Sequence, residues 1–106
     1  MSRRFRWKSI WRIAKQRERR GLLRVFLRKR AQKEVDRLPA NIFDRILETL
    51  DSLRSEPRPH GAKKLSGLPE WRVRVGNYRI LYRIDDSERT LEIVSVGHRR
   101  EVYRNL

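Results

Sequence analysis

Residues 71–85 read WRVRVGNYRILYRID, and their period decides the fold. Trp71, Val73 and Val75 alternate with Arg72 and Arg74, which is the pattern of a half-covered strand. Gly76 and Asn77 tolerate positive φ and supply a tight hairpin turn. Tyr78, Ile80, Tyr82 and Ile84 then alternate with Arg79, Leu81 and Arg83. Asp85, Asp86 and Ser87 turn the chain again, and Leu91, Ile93 and Ser95 alternate with Glu92, Val94 and Val96. Three strands with short turns predict an antiparallel meander, stopped at Gly97. The remainder, HRREVYRNL, is expected as a short tail or helical turn.

Upstream, the period lengthens. Ile42, Phe43, Ile46, Leu47, Leu50 and Leu53 form a wide helical stripe, with Asn41 as the expected cap and Asp44 favoured near the positive end. Ala31, Val35 and Leu38 fall at i, i+4, i+7, predicting an earlier helix that Pro39 ends. Before it, residues 22–27 (LLRVFL) read as a strand apolar enough on both faces to be covered on both. Between helix and meander, residues 54–70 break all period, and Pro57, Pro59, Gly61, Gly67 and Pro69 mark a surface connection. The order strand, helix, helix, strand, strand, strand predicts an α+β fold. A mainly antiparallel twisted sheet carries a helical hairpin on one face and leaves the other open.

The chain has 106 residues with 28 Lys+Arg against 13 Asp+Glu, a formal net charge of +15. That length suits one domain. Without cysteine, a disulfide scaffold, a thiolate zinc site and a cysteine nucleophile are excluded. No apolar run reaches the roughly 18 residues of a membrane-spanning helix, and no apolar segment follows the basic start as a secretory signal would require. The charge is uneven. Residues 1–30 hold 13 basic side chains and one acid, Glu18, which leaves +3 for the rest. Residues 1–21 therefore read as a basic N-terminal extension, disordered or helical, with Trp7, Ile10, Trp11 and Ala14 on one helical face. Residues 22–106 read as the domain. A small, basic, cysteine-free protein points to a reducing compartment and a polyanionic partner.

Arg72 and Arg74 point the same way from one strand, and Arg79 follows just beyond the turn on the next. His98, Arg99 and Tyr103 come after the last strand, where the tail can fold back over the sheet. No acidic pair, metal-ligand spacing or Gly-rich phosphate loop accompanies them. A guanidinium fork bonds two phosphate oxygens at once and never loses its charge. This cluster therefore points to RNA. Lys63 and Lys64 lie in the connection as non-specific nucleic-acid contacts. His60, in a Pro/Gly loop, reads as solvated, and Trp71 and Tyr82 read as packing.

Two segments carry a family resemblance: WRVRVGNYRILYRID (71–85) and VGHRREVY (96–103), in this order and spacing. With KEVDRLP and KKLSGLPE between them and the first strand, the domain resembles the RelE/ParE superfamily of type II toxins, on the RelE side. The basic extension has no counterpart there. The resemblance implies a microbial-RNase-like fold and a cytoplasmic toxin silenced by a cognate antitoxin in a hetero-oligomer. Such a toxin cuts messenger RNA on the ribosome without metal or cofactor, and no membrane partner is expected. A ribose 2′-OH attacks the adjacent phosphate and leaves a cyclic phosphate.

By position, the resemblance makes Arg72 and Arg74 phosphate holders and Arg79 the transition-state stabiliser. Arg99 becomes a further phosphate contact, and Tyr103 a catalytic or base-stacking group. The family often has lysine where Arg72 and Arg74 stand. Arginine cannot act as a general base near neutral pH, so the proton carrier is expected to be His98, with Tyr103 assisting. Two alternatives belong to other classes: a ParE-like inhibitor of DNA gyrase without nuclease activity, and an inactive RNA-binding remnant.

Overall fold

The computed structural model describes residues 22–98. The elements in chain order are β1 (Arg24–Leu27), α1 (Lys29–Asp36), α2 (Ala40–Ser55), β2 (Lys63–Lys64), β3 (Trp71–Val75), β4 (Tyr78–Asp85) and β5 (Thr90–His98). They form one five-stranded sheet of order β1-β5-β4-β3-β2. The three-strand meander is present, with β3–β4 and β4–β5 antiparallel, but its last strand does not stop at Gly97 and carries His98 as its final paired residue. β1 joins β5 in parallel, which the intervening helical hairpin makes possible. The fold is the expected α+β arrangement.

Both helices bury the predicted stripes. Ala31, Val35 and Leu38 face the sheet with Phe43, Ile46, Leu50 and Leu53. Their counterparts are Val25, Val73, Val75, Ile80, Tyr82, Leu91, Ile93 and Val96. The hydroxyl of the buried Tyr82 donates to the Pro57 carbonyl at 2.7 Å, and burial raises its pKa to about 12.

Several boundaries differ from the reading above. α2 starts at Ala40, one residue before Asn41. Pro39 takes the cap position, and no side-chain cap bond forms. Proline suits a helix start because its missing N–H has no intrahelical partner there. The connection contains β2, a two-residue strand at the sheet's edge. β1 is not covered on both faces: Phe26 is 52% exposed beside Arg24, whose guanidinium lies 5.7 Å from the ring centroid.

The largest difference is in β5. Tyr82 pairs with Ile93, but Leu81 pairs with Ser95, so Val94 is an extra residue. This bulge exchanges the faces of every later side chain. Val96, not Ser95, therefore joins the main core. β1 runs out at Leu27, opposite Ile93, and past that point α1 lies along β5. There the Glu34 carboxylate accepts the Val96 N–H at 2.9 Å and the Ser95 hydroxyl at 2.9 Å, in place of a neighbouring strand.

Candidate RNA-binding face

The face away from the helices is organised in rows across the strands. Arg74 stands opposite Arg79, and Arg79 opposite Gly97. The next row on the same side holds Lys63, Arg72, Leu81 and Ser95. Neither row contains an acid. Directly opposed side chains lie about 5 Å apart at Cβ, where like charges repel. A phosphate seated between Arg74 and Arg79 would offset that repulsion.

The far end of this face is neutralised internally. Arg83 donates to Glu70, a carboxylate only 2% exposed, and Arg28 donates to Glu92 at 2.9 Å. A carboxylate that deeply buried requires such a partner. The sheet surface thus divides into a compensated end and an arginine end.

The face is less open than expected. Leu81 and Val94 are buried there, with Leu65 of the connection packed against them. Arg72 is only 8% exposed, and its buried Nε has no acceptor among the described residues. A buried guanidinium N–H without a partner is costly, and an entering phosphate oxygen would remove that cost.

The sequence-predicted residues divide as follows. Arg72, Arg74 and Arg79 come together on two adjacent rows, and Lys63 joins them opposite Arg72. Lys64 does not. It pairs with Trp71, and its Nζ donates to the Leu68 carbonyl at 2.7 Å, bracing the connection. His60 is exposed.

His98 is not on the arginine face. It pairs with Tyr78, and the two rings meet edge-on with centroids 4.5 Å apart. Tyr78 belongs to the helix-covered side, and His98 with it lines a cleft of about 310 Å³ beside Glu34 and Arg37. The Val94 bulge is the cause, since strict alternation from Glu92 would put His98 among the arginines. The same bulge brings Gly97 there, and a residue without a side chain lets a ligand approach the backbone. Arg99 and Tyr103 lie outside the described residues.

The reading of the strands missed Arg45 of α2, whose guanidinium reaches over the Gly76 turn to the margin of this face. It stands off the apolar stripe, where a charged residue is ordinarily just solvated. No periodicity could have marked it.

Comparison with known proteins agrees with this architecture. Residues 25–103 match the family described as ParE toxin of type II toxin-antitoxin system, parDE. The chain is 36% identical over 78 residues to toxin RelG of Mycobacterium tuberculosis, covering 70% of this chain and 87% of that one. Among solved structures it resembles the toxin–antitoxin complex RelBE2 of the same organism, with 31% identity and a TM-score of 0.64. That match covers 74% of this chain and 99% of the other. The archaeal RelE–RelB complex of Pyrococcus horikoshii matches with 29% identity and a TM-score of 0.67, over 74% of this chain and 97% of that chain. The fold, the arginine-lined sheet and the match over most of the described chain lead to one assignment: this protein belongs to the ParE toxin family, in the RelE/ParE superfamily of type II toxin–antitoxin toxins.

Proposed function

We propose that this toxin is a ribosome-dependent endonuclease acting on messenger RNA and restrained by a cognate antitoxin. The observation that carries the proposal is the pair of acid-free rows holding Arg72, Arg74 and Arg79, with a buried Nε of Arg72 that has no acceptor among the described residues. In the reaction, the ribose 2′-oxygen bonds to the adjacent phosphorus and the bond to the 5′-oxygen breaks. A 2′,3′-cyclic phosphate and a 5′-hydroxyl result. Negative charge grows on the non-bridging oxygens, where fixed guanidinium groups stabilise it. Arg79, central in its row between Arg74 and Gly97, takes the main share. Arg72 and Arg74 hold the phosphate, and Lys63 adds charge.

A proton must leave the 2′-OH and another must reach the 5′-oxygen. Arginine serves neither purpose. We assign one of these transfers to His98, one residue beyond Gly97 at the end of β5, although its ring lines the cleft on the helix-covered side. Arg99 and Tyr103, by their positions in the family motif, complete the set. His98→Gln should lower cleavage on programmed ribosomes, and undiminished cleavage by that variant removes His98 from the mechanism.

The decisive experiment maps the 5′ ends of cellular transcripts after brief induction. Codon-phased cuts within translated regions are expected. Intact messages with blocked replication would instead identify a gyrase inhibitor, and the absence of both effects an inactive remnant. The antitoxin partner is supported by the two solved toxin–antitoxin complexes of similar chains. Co-purification of the product of an adjacent reading frame tests it.

A further inference from the structure

The basic surface continues past the sheet. β2 covers β3 only at Trp71 and Arg72, so β3 is the sheet's free margin from Val73 to Val75. α2 packs near this margin, and between them lies a notch of about 220 Å³. Its lining is Arg45, Glu48, Thr49 and Ser52 from α2 with Arg74 and Val75 from β3. The volume is several times what one water needs.

Arg45 is held across the hairpin turn. Its Nη1 lies 3.1 Å from where a Cβ would stand on Gly76, whose φ of +62° already favours glycine. The turn thus leaves room for the guanidinium. Among the described residues, neither Arg45 nor Arg74 has a carboxylate within ion-pair distance, although Glu48 lines the same notch. The Thr49 and Ser52 hydroxyls donate to the helix's own carbonyls, those of Arg45 and Glu48, at 2.9 and 3.0 Å. The donors offered to the notch are therefore the two guanidinium groups. Arg74 belongs to both places: it opposes Arg79 on the sheet face and lines the notch at its margin.

We propose that Arg45 and Arg74 bind a second RNA phosphate, outside the linkage that is cut, so that one strand runs from the arginine rows over the β3 margin to α2. The proposal rests on the RNA reading above and extends it. Repeating phosphates match the repeating guanidinium groups, since two forks on a continuous surface suit a polymer that carries one charge per residue.

The test titrates the full chain with a fluorescent single-stranded RNA oligonucleotide, and separately with ribosomes, across a salt series. Each phosphate contact to a single strand contributes about 0.7 to the slope of log affinity against log salt, hence about fivefold in affinity at 0.1 M salt. Arg45→Gln should lose both, and Arg45→Lys should regain them. Glu48→Gln, which removes the notch's one carboxylate, should tighten binding. Melting temperatures confirm that the variants fold. An effect with ribosomes alone overturns the single-strand path and assigns the contact to ribosomal RNA instead.

An unchanged salt slope for a folded Arg45→Gln, with Glu48→Gln equally silent, overturns the proposal. So does a loss of affinity confined to an acidic protein partner. The nuclease reading fails separately. If transcripts stay uncut while the Arg45→Gln slope still falls, the second phosphate contact stands without the cleavage.

Discussion

Arg79 and Tyr82 lie three residues apart on β4 and do opposite work. Arg79 faces the acid-free rows, while Tyr82 is buried under the helices. Removing the Arg79 guanidinium should lower message cleavage by about 10²–10³, the usual effect of losing one transition-state donor. The melting temperature should hold. Single-turnover cleavage on programmed ribosomes measures the first and thermal unfolding the second. Tyr82 makes its own pH prediction. Burial raises its pKa to about 12, above the ordinary value near 10, so the fold favours the neutral phenol. That share of stability is complete below pH 10 and is lost as pH rises from 10 towards 12. Tyr82→Phe should flatten this alkaline decline. It should also cost about 1–3 kcal/mol at neutral pH by leaving the Pro57 carbonyl without its donor. Denaturant melts from pH 7 to 11.5 read both effects. Which arginines share a face was legible because strand period alone assigns Arg72, Arg74 and Arg79. The burial of Arg72 was not, since it depends on how a distant connection folds over the sheet.

Among the elements, β5 holds the most that the pattern concealed. Its alternation was correct up to Ile93 and inverted afterwards, because one extra residue at Val94 exchanges the two faces. The displacement of His98 from the arginine face follows directly. Nothing in the residues 91–96 (LEIVSV) marks the bulge, since Val94 fits either face. The bulge is instead secured from outside the strand, by Glu34 of α1 bonding Val96 N–H and the Ser95 hydroxyl. Glu34→Ala should cost about 1–3 kcal/mol, the ordinary consequence of leaving partly buried donors without an acceptor. Amide hydrogen exchange at Val96 should quicken well before the rest of β5. Equal protection in the variant would show that the carboxylate is not what secures the edge. The helices were easier to read, as a 3.6-residue stripe of large apolar side chains has no other use. Only their ends shifted, with α2 starting at Ala40 and capped by Pro39 rather than Asn41.

For the molecule as a whole, charge is sorted along the sheet. One end neutralises itself through Arg83–Glu70 and Arg28–Glu92, and the other presents Lys63, Arg72, Arg74 and Arg79. With a net charge of +15, encounter with a polyanion should be steered electrostatically. Association with single-stranded RNA should therefore slow strongly as salt rises, because the screening length shrinks from about 30 Å at 0.01 M to about 8 Å at 0.15 M. Stopped-flow mixing at the two ionic strengths checks this, and a salt-independent rate would contradict it. The α+β class, the meander and the basic character all follow from local pattern. Periodicity and composition are properties of neighbouring residues and survive without any knowledge of the partner surface. The parallel seating of β1 on β5, the face on which His98 emerges, the burial of Arg72 and the approach of Arg45 to the Gly76 turn were settled by packing alone. Each depends on residues tens of positions apart meeting in space, where a single bulge or a single glycine turn decides which side chains become neighbours.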